Sequence, residues 1–268
     1  MANYILGQRT KNTDEDWLEV YYNIEKYVSK AEIDIKIREA VEEIKGMTKN
    51  RKAAFGWSGG KDSNVLNFVM NKAGISNCMW GRCNLEYPIY EEWVQKNKPV
   101  GLEEVNMGQD MAWLYQNYNM LFPSDRRVVQ KWFKIVQQKA QRIYMDRNGL
   151  DIFILGRRTQ DGNYTGKVIA RKDSGSCYKP KTGIWMYCPI RAWKHEDILA
   201  VIKYYKLELP PTYFMKDGFQ LESIWARKQV ESEEQGWRDI YDIDKRILYK
   251  AKNYFSLADK ILKEKEYV

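Results

Sequence analysis

The chain has one histidine in 268 residues and four cysteines, at positions 78, 83, 177 and 188. No two of those cysteines form a Cys-x-x-Cys pair. Zinc-finger spacing and a four-cysteine cluster pattern are therefore absent, and no iron–sulfur cluster is expected. Reduced thiols are the default for so few, unpatterned cysteines. No apolar stretch reaches the length needed to cross a bilayer, so no membrane partner is expected. Met1 to Leu6 is too short, and too soon followed by charge, for a signal peptide, and a cytoplasmic location is expected. Internal repeats and low-complexity segments are also missing.

What is present supports a sizeable core. Hydrophobic residues make up 44% and aromatics 14%, including 19 Tyr and 10 Trp. The formal net charge of +8 suits anionic partners such as nucleotides, sulfate or nucleic acid. A solvated lysine-rich surface accounts for it equally well, and the basic residues read as scattered through helices rather than gathered in one run.

Apolar spacing predicts helix over 13–47, with a stop at Gly46. The period then changes. Ala53–Trp57 reads as a buried strand and Ser63–Asn71 as the following helix. Strands are expected at Cys78–Trp80, Val100–Val105, Asp151–Leu155 and Trp185–Ile190. Helices are expected at Ile89–Gln95, Met111–Tyr118, Arg126–Asp146 and Lys194–Tyr205, and Pro210-Pro211 ends the last. The charged tail, 221–266, is helix-rich, with Trp237, Ile240, Ile243, Ile247 and Leu248 on one face. Alternating strands and helices imply an α/β fold, a doubly wound and mostly parallel sheet with helical additions at both ends. The expected division is 1–48 helical, 49–215 nucleotide-binding core and 216–268 helical extension. Loops 58–62, 81–88 and 156–166 follow strands, so their chemistry is expected on one rim of the sheet.

Ser58-Gly59-Gly60-Lys61-Asp62-Ser63 joins the first strand to its helix. A glycine turn that opens a helix is a phosphate cradle, because backbone N–H groups and the helix terminus both favour an anion. It is not a Walker A loop: position 55 is Phe and position 62 is Asp, where that motif needs Gly and Ser or Thr. It is not a dinucleotide fingerprint either, since its glycines are adjacent. Ser58 and Ser63 offer hydroxyls, Lys61 offers a charge, and Asp62 facing phosphate implies a Mg²⁺ between them. An ordinary strand–turn–helix is the bland alternative, and the two serines with Lys-Asp argue against it.

The hexapeptide resembles the PP-loop, Ser-x-Gly-x-Asp-Ser, of the ATP pyrophosphatases. Within that group the chain is similar to the phosphoadenosine-phosphosulfate (PAPS) reductase family. Three further blocks carry the likeness: Asn84-Leu85-Glu86-Tyr87-Pro88, Gly156-Arg157-Arg158-Thr159-Gln160-Asp161, and Tyr187-Cys188-Pro189-Ile190-Arg191-Ala192-Trp193 with Glu196-Asp197-Ile198 beyond. The resemblance covers about 53–215 and implies an adenine nucleotide α-hydrolase-like fold that uses ATP and Mg²⁺. It implies phosphate contacts from Ser58, Gly59, Gly60, Lys61, Asp62, Ser63 and Gly156. Trp80 and its neighbours would line the adenine pocket, with Glu86 close by. Arg157 and Arg158 would face the anionic end of the ligand, and Asp62 would hold the metal. Lys61, Asp62, Arg157 and Arg158 are thus the expected catalytic residues. For Asn84 and Glu86 a role in starting the next helix is an equal alternative.

The chain departs from the reductases in one decisive place. They carry a Cys in a C-terminal Glu-Cys-Gly motif, whereas here no cysteine follows Cys188. Cys177 and Cys188 read as buried small hydrophobes, and Cys83 as the one cysteine worth testing for reactivity. His195 reads as a helix-start residue. The expected activity is adenylation of an acceptor with release of pyrophosphate, serving sulfur or nitrogen transfer to a nucleotide or nucleic acid. The alternatives are a reductase with an atypical thiol and a non-catalytic nucleotide-binding subunit. Homodimer and partner-subunit assembly both stay open.

Overall fold

The computed structural model describes residues 2–161, 177–178 and 183–266. Two compact units emerge. The first comprises Met1–Trp80, Lys98–Glu103 and Ile143–Leu209; the second comprises Gly81–Asn97, Glu104–Arg142 and Pro210–Val268. The stretch expected as an N-terminal helical segment belongs to the first unit, and the expected C-terminal extension to the second.

The sheet has six strands in the order β3-β2-β1-β4-β6-β5, formed by Ala53–Gly56 (β1), Cys78–Arg82 (β2), Leu102–Asn106 (β3), Ile152–Ile154 (β4), Cys177–Tyr178 (β5) and Trp185–Tyr187 (β6). β1 pairs in parallel with both β2 and β4, and β4 with β6; β5 runs antiparallel to β6. The α/β class is as the sequence implies. β1 and β4 are buried at almost every position, as strands covered on both faces must be. The chain moves outward from β1 to β2 and then crosses back to β4 on the other side. With right-handed crossovers, that reversal puts helices on both faces and opens a crevice between the carboxyl ends of β1 and β4.

One layer of the first unit packs Lys61–Lys72 (α3) and His195–Tyr204 (α8) against each other and against Asp14–Tyr22 (α1) and Lys30–Thr48 (α2). The helix expected over 13–47 is broken between Tyr22 and Lys30. Ser29 restarts it with a capping box: its side chain accepts from the Glu32 N–H while Glu32 accepts from the Ser29 N–H. Gly46 does not stop α2, which runs on to Thr48. Val100 lies outside β3 and is 94% exposed.

In the second unit, Pro88–Asn97 (α4) and Met111–Gln116 (α5) precede Arg126–Phe133 (α6). α6 continues through a π turn, Lys134–Gln138, into Lys139–Asn148 (α7), which belongs to the first unit from Ile143 on, so the expected helix over 126–146 forms with one widened turn. Glu233–Asp244 (α9), Arg246–Ala251 (α10) and Ser256–Glu266 (α11) complete it. Phe122, Trp225, Trp237 and Phe255 make edge and tilted ring contacts at the centre of this unit. Gly236 is required there, because a Cβ would lie 2.7 Å from the Phe122 ring.

Candidate functional site

The loop after β1 takes its shape from two glycines. Gly59 has φ +77°, a region open to glycine at little cost, and Gly60 caps α3 in an extended conformation. Side chains then lock the turn. Ser63 Oγ donates to the Gly60 carbonyl (2.9 Å) and accepts from the Ser58 N–H (3.1 Å). Asn64 Nδ2 donates to the Gly59 carbonyl (3.1 Å), and Asn64 Oδ1 accepts from Trp57 Nε1 (2.9 Å). The first N–H groups of α3 have no partner within the helix, which gives this terminus its affinity for anions.

The loop after β4 comes to meet it. A Cβ at Gly156 would lie 3.2 Å from the Asp62 carbonyl oxygen, so glycine permits this approach. Arg158 then ties the two loops together. Its Nε donates to Asp62 Oδ1 (2.6 Å) and its Nη2 to Asp161 Oδ1 (2.8 Å). Nη1 donates to the Trp193 carbonyl (3.3 Å), and Nη2 also reaches His195 Nδ1 (2.9 Å). Arginine has no acceptor, so Nδ1 accepts and the imidazole proton sits on Nε2. His195 is fully buried and packs edge-on against Trp17 at 4.6 Å. Burial, then the charges of Lys61 and Arg158, push its pKa down to about 2. Lys61 Nζ is buried too, donating to Asp62 Oδ2 (2.6 Å) and lying 5.6 Å over the Trp17 ring.

Two buried cations thus share Asp62. Burial raises its pKa, but Arg158 and Lys61 outweigh that and hold the carboxyl below the usual range. Asp161 is pushed up by burial and by Asp62. Lys61 is pushed down by burial. The N-terminal segment is clasped onto the same cluster. Gln160 Nε2 donates to the Leu6 carbonyl (2.7 Å) and its Oε1 accepts from the His195 N–H (2.6 Å), while Glu196 accepts from the Ile5 and Leu6 N–H groups.

Lys61, Asp62, Arg158, Gly156 and the Ser58–Ser63 loop are therefore brought together, with one side chain turned otherwise than expected. Arg158 was expected to face the ligand; it is fully buried, and its donors are spent on Asp62, Asp161, Trp193 and His195. Asp62 was expected to hold Mg²⁺; each of its oxygens accepts from one cationic side chain, Lys61 or Arg158, so the carboxylate serves as their shared counter-ion. No group of three or more metal-ligating side chains occurs among the described residues. Arg157 is partly exposed beside Arg158, and Trp80 is buried within β2. Residues 162–166 of the expected 156–166 loop, and the Cys177 side chain, lie outside what is described.

Glu86 lies in the second unit. It is 4% exposed, and its Oε1 accepts from the Cys83 N–H (2.9 Å). Burial raises its pKa to about 7. Cys83 does not fit a reactive role: it is buried, and burial with the nearby Glu86 pushes its thiol well up. Cys78 and Cys188 are buried as well.

Sequence reading missed Asp161, Asn64, Gln160 and the placing of His195. Gln160-Asp161 lay in a quoted block, yet nothing local ties them to residues so distant in the chain.

No protein-family model matches the chain, and no curated protein matches it. Solved structures do. Phosphoadenylyl-sulfate (PAPS) reductase from Candida auris aligns at 12% identity and TM-score 0.49, covering 68% of this chain and 90% of that one. The U34-tRNA thiolase NcsA from Methanococcus maripaludis, with its [4Fe-4S] cluster, aligns at 15% and 0.43, covering 88% and 81%. NMN synthetase from Francisella tularensis aligns at 13% and 0.46, covering 84% and 95%. These three TM-scores are below 0.5, so the weight of a functional reading falls on the chain's own geometry.

Proposed function

We propose that this chain is a PP-loop enzyme of the ATP pyrophosphatase type. It would bind ATP on Ser58–Ser63 and transfer AMP to an acceptor, for sulfur or nitrogen transfer to a nucleotide or nucleic acid. The observation that carries this reading is the meeting of the Ser58–Ser63 turn with Gly156–Asp161 at the point where strand order reverses. Such a crevice is where open α/β sheets bind their ligands.

In this reading Gly59, Gly60 and the first turn of α3 cradle the phosphates, with hydroxyls from Ser58 and Ser63. Lys61 and Arg158 act from below the surface: they fix the loop and add positive potential without touching the ligand. Asp62 is their shared counter-ion and positions both. Arg157 would meet the ligand or its acceptor, and Trp80 would support the adenine side through backbone. An acceptor oxygen attacks the α-phosphorus, the α–β bridging bond breaks, and pyrophosphate carries away the electron pair. Hydrogen bonds from a preorganised, partly desolvated loop stabilise that leaving charge better than water does.

The test is conversion of α-labelled ATP. The purified chain with candidate nucleotide and nucleic-acid acceptors should yield AMP or an adenylated product together with pyrophosphate. ATP binding with no turnover for any acceptor would replace the enzyme with a nucleotide-binding subunit. Thioredoxin-dependent sulfite release from PAPS would replace it with a reductase.

A further inference from the structure

Lys61 and Arg158 are buried and face two carboxylates, Asp62 and Asp161, so much of their charge is balanced before any ligand arrives. A polyphosphate needs further positive charge, on a side chain that reaches the surface. The N-terminal strap of the first unit supplies one, and it is anchored on the cluster at both ends. At one end Glu196 accepts from the Ile5 (2.7 Å) and Leu6 (2.6 Å) N–H groups. Gln160, next to Asp161, donates to the Leu6 (2.7 Å) and Gly7 (3.2 Å) carbonyls. At the other end Thr13 caps α1, and Trp17 lies over Lys61 and against His195. Between the anchors Arg9–Lys11 makes a single tight turn, in which the Lys11 N–H donates to the Gln8 carbonyl (2.8 Å). The Gly7 N–H donates to Asn12 Oδ1 (2.8 Å), which closes the strap into a loop.

Arg9 follows Gly7 by two residues, so the two Cα atoms are at most about 7 Å apart. Arg9 is partly exposed, unlike Lys61 and Arg158. Its charge reaches three members of the cluster. Burial is the largest influence on Lys61, Asp161 and His195, and Arg9 is among the charges that lower the pKa of all three. Toward Lys61 that influence is a repulsion between like charges. Asp161, already bonded to Arg158, offsets only part of it. The fold holds Arg9 there nonetheless, and a bound anion is what would relieve the repulsion.

We propose that Arg9 is a ligand-binding residue of this site, carried to it by the N-terminal strap, and that its guanidinium contacts the phosphate chain of the nucleotide. The proposal rests on the ATP reading above and adds to it a contact from outside the two loops. A planar guanidinium fork matches phosphate oxygens, which an ammonium does only as a point charge. A purely structural Arg9 would hold the strap down and serve no ligand. The two roles separate experimentally, because the strap has its own anchors on Glu196 and Gln160. Lys11, exposed on the same turn, is the charge-matched control.

The experiment is isothermal titration of the full chain with ATP, PAPS and inorganic pyrophosphate in turn. Arg9→Gln should raise the Kd of whichever ligand binds wild type by at least about tenfold, the loss of one charge-assisted bond to phosphate. Arg9→Lys keeps the charge without the fork and should recover part of that loss. Lys11→Gln should stay within about twofold of wild type, because an exposed charge away from the ligand is screened. If circular dichroism shows Arg9→Gln misfolded, Arg9→Lys takes its place, with an expected loss of at least about twofold and any smaller loss counting against the proposal. An Arg9→Gln Kd within about twofold of wild type overturns the proposal and leaves the ATP reading standing. So does a loss shared equally by Lys11→Gln, which would belong to the general charge of the turn. A loss that Arg9→Lys does not lessen would belong to the strap and overturns it too. Binding of PAPS or pyrophosphate without ATP sinks the ATP reading alone, and the Arg9 variants are then read on the ligand that binds. A wild-type chain that binds none of the three overturns both.

Discussion

Arg158 is the residue on which the site turns. A buried guanidinium that serves two carboxylates, one carbonyl and one imidazole cannot be replaced by a compact ammonium, which has neither the fork nor the reach. Arg158→Lys should therefore destabilise the chain by about 3 kcal/mol, the low end for breaking a buried ion pair. Urea unfolding measures it, and a loss within about 0.5 kcal/mol, the range of an ordinary surface substitution, would remove the central role. The residues of this cluster differ in how readable they are. Gly59, Gly60, Ser58 and Ser63 serve a turn made of neighbours, so their requirements are written locally. Asp62, Asp161, Arg158 and His195 meet only after β1 and β4 pair, and nothing near Arg158 in sequence says that it points inward. The family likeness located the Arg pair, but the guanidinium of Arg158 faces the protein instead of the ligand.

At the scale of elements, the approach of the β4 loop to the first turn of α3 rests on Gly156. A methyl group there would stand 3.2 Å from the Asp62 carbonyl, against backbone that cannot swing aside. Gly156→Ala should push the loops apart, lengthen the Arg158–Asp62 bond and weaken ATP binding. Isothermal titration should register at least a several-fold rise in Kd, and undiminished affinity would show that the two loops need not touch. The strands themselves were legible because β1 and β4 are short apolar runs, as doubly covered strands must be. The break between α1 and α2 was written in Ser29-Lys30-Ala31-Glu32, a capping box that the apolar spacing on either side concealed. The π turn at Lys134–Gln138 has no signature in spacing. It widens a helix whose apolar positions read as one continuous pattern.

Across the whole chain, two buried titratable groups give opposite responses to pH. His195 stays neutral in the fold down to about pH 2, but takes a proton below about 6.5 when unfolded. Between those values the unfolded chain binds more protons, so stability is lost as pH falls. Glu86 keeps its proton in the fold up to about pH 7, but releases it above about 4.5 when unfolded. There the folded chain binds more protons, so stability is lost as pH rises. From about pH 4.5 to 6.5 the two slopes, each about 1.4 kcal/mol per pH unit, cancel. Each single variant should uncover the other slope. His195→Asn keeps an acceptor for Arg158 and should remove the acid-side loss, so that stability relative to wild type falls by about 2.7 kcal/mol from pH 4.5 to 6.5. Glu86→Gln should rise relative to wild type by the same amount over the same range. Urea unfolding at both pH values decides it, because subtracting wild type cancels every group the variants share. Curves that stay parallel to wild type would mean that His195 and Glu86 titrate normally in the fold. Neither the buried imidazole over Trp17 nor the enclosed carboxyl on the Cys83 N–H would then carry the protonation state assigned to it. His195 would no longer be fixed as the acceptor for Arg158, and the tie between the two loops would lose one of its four anchors.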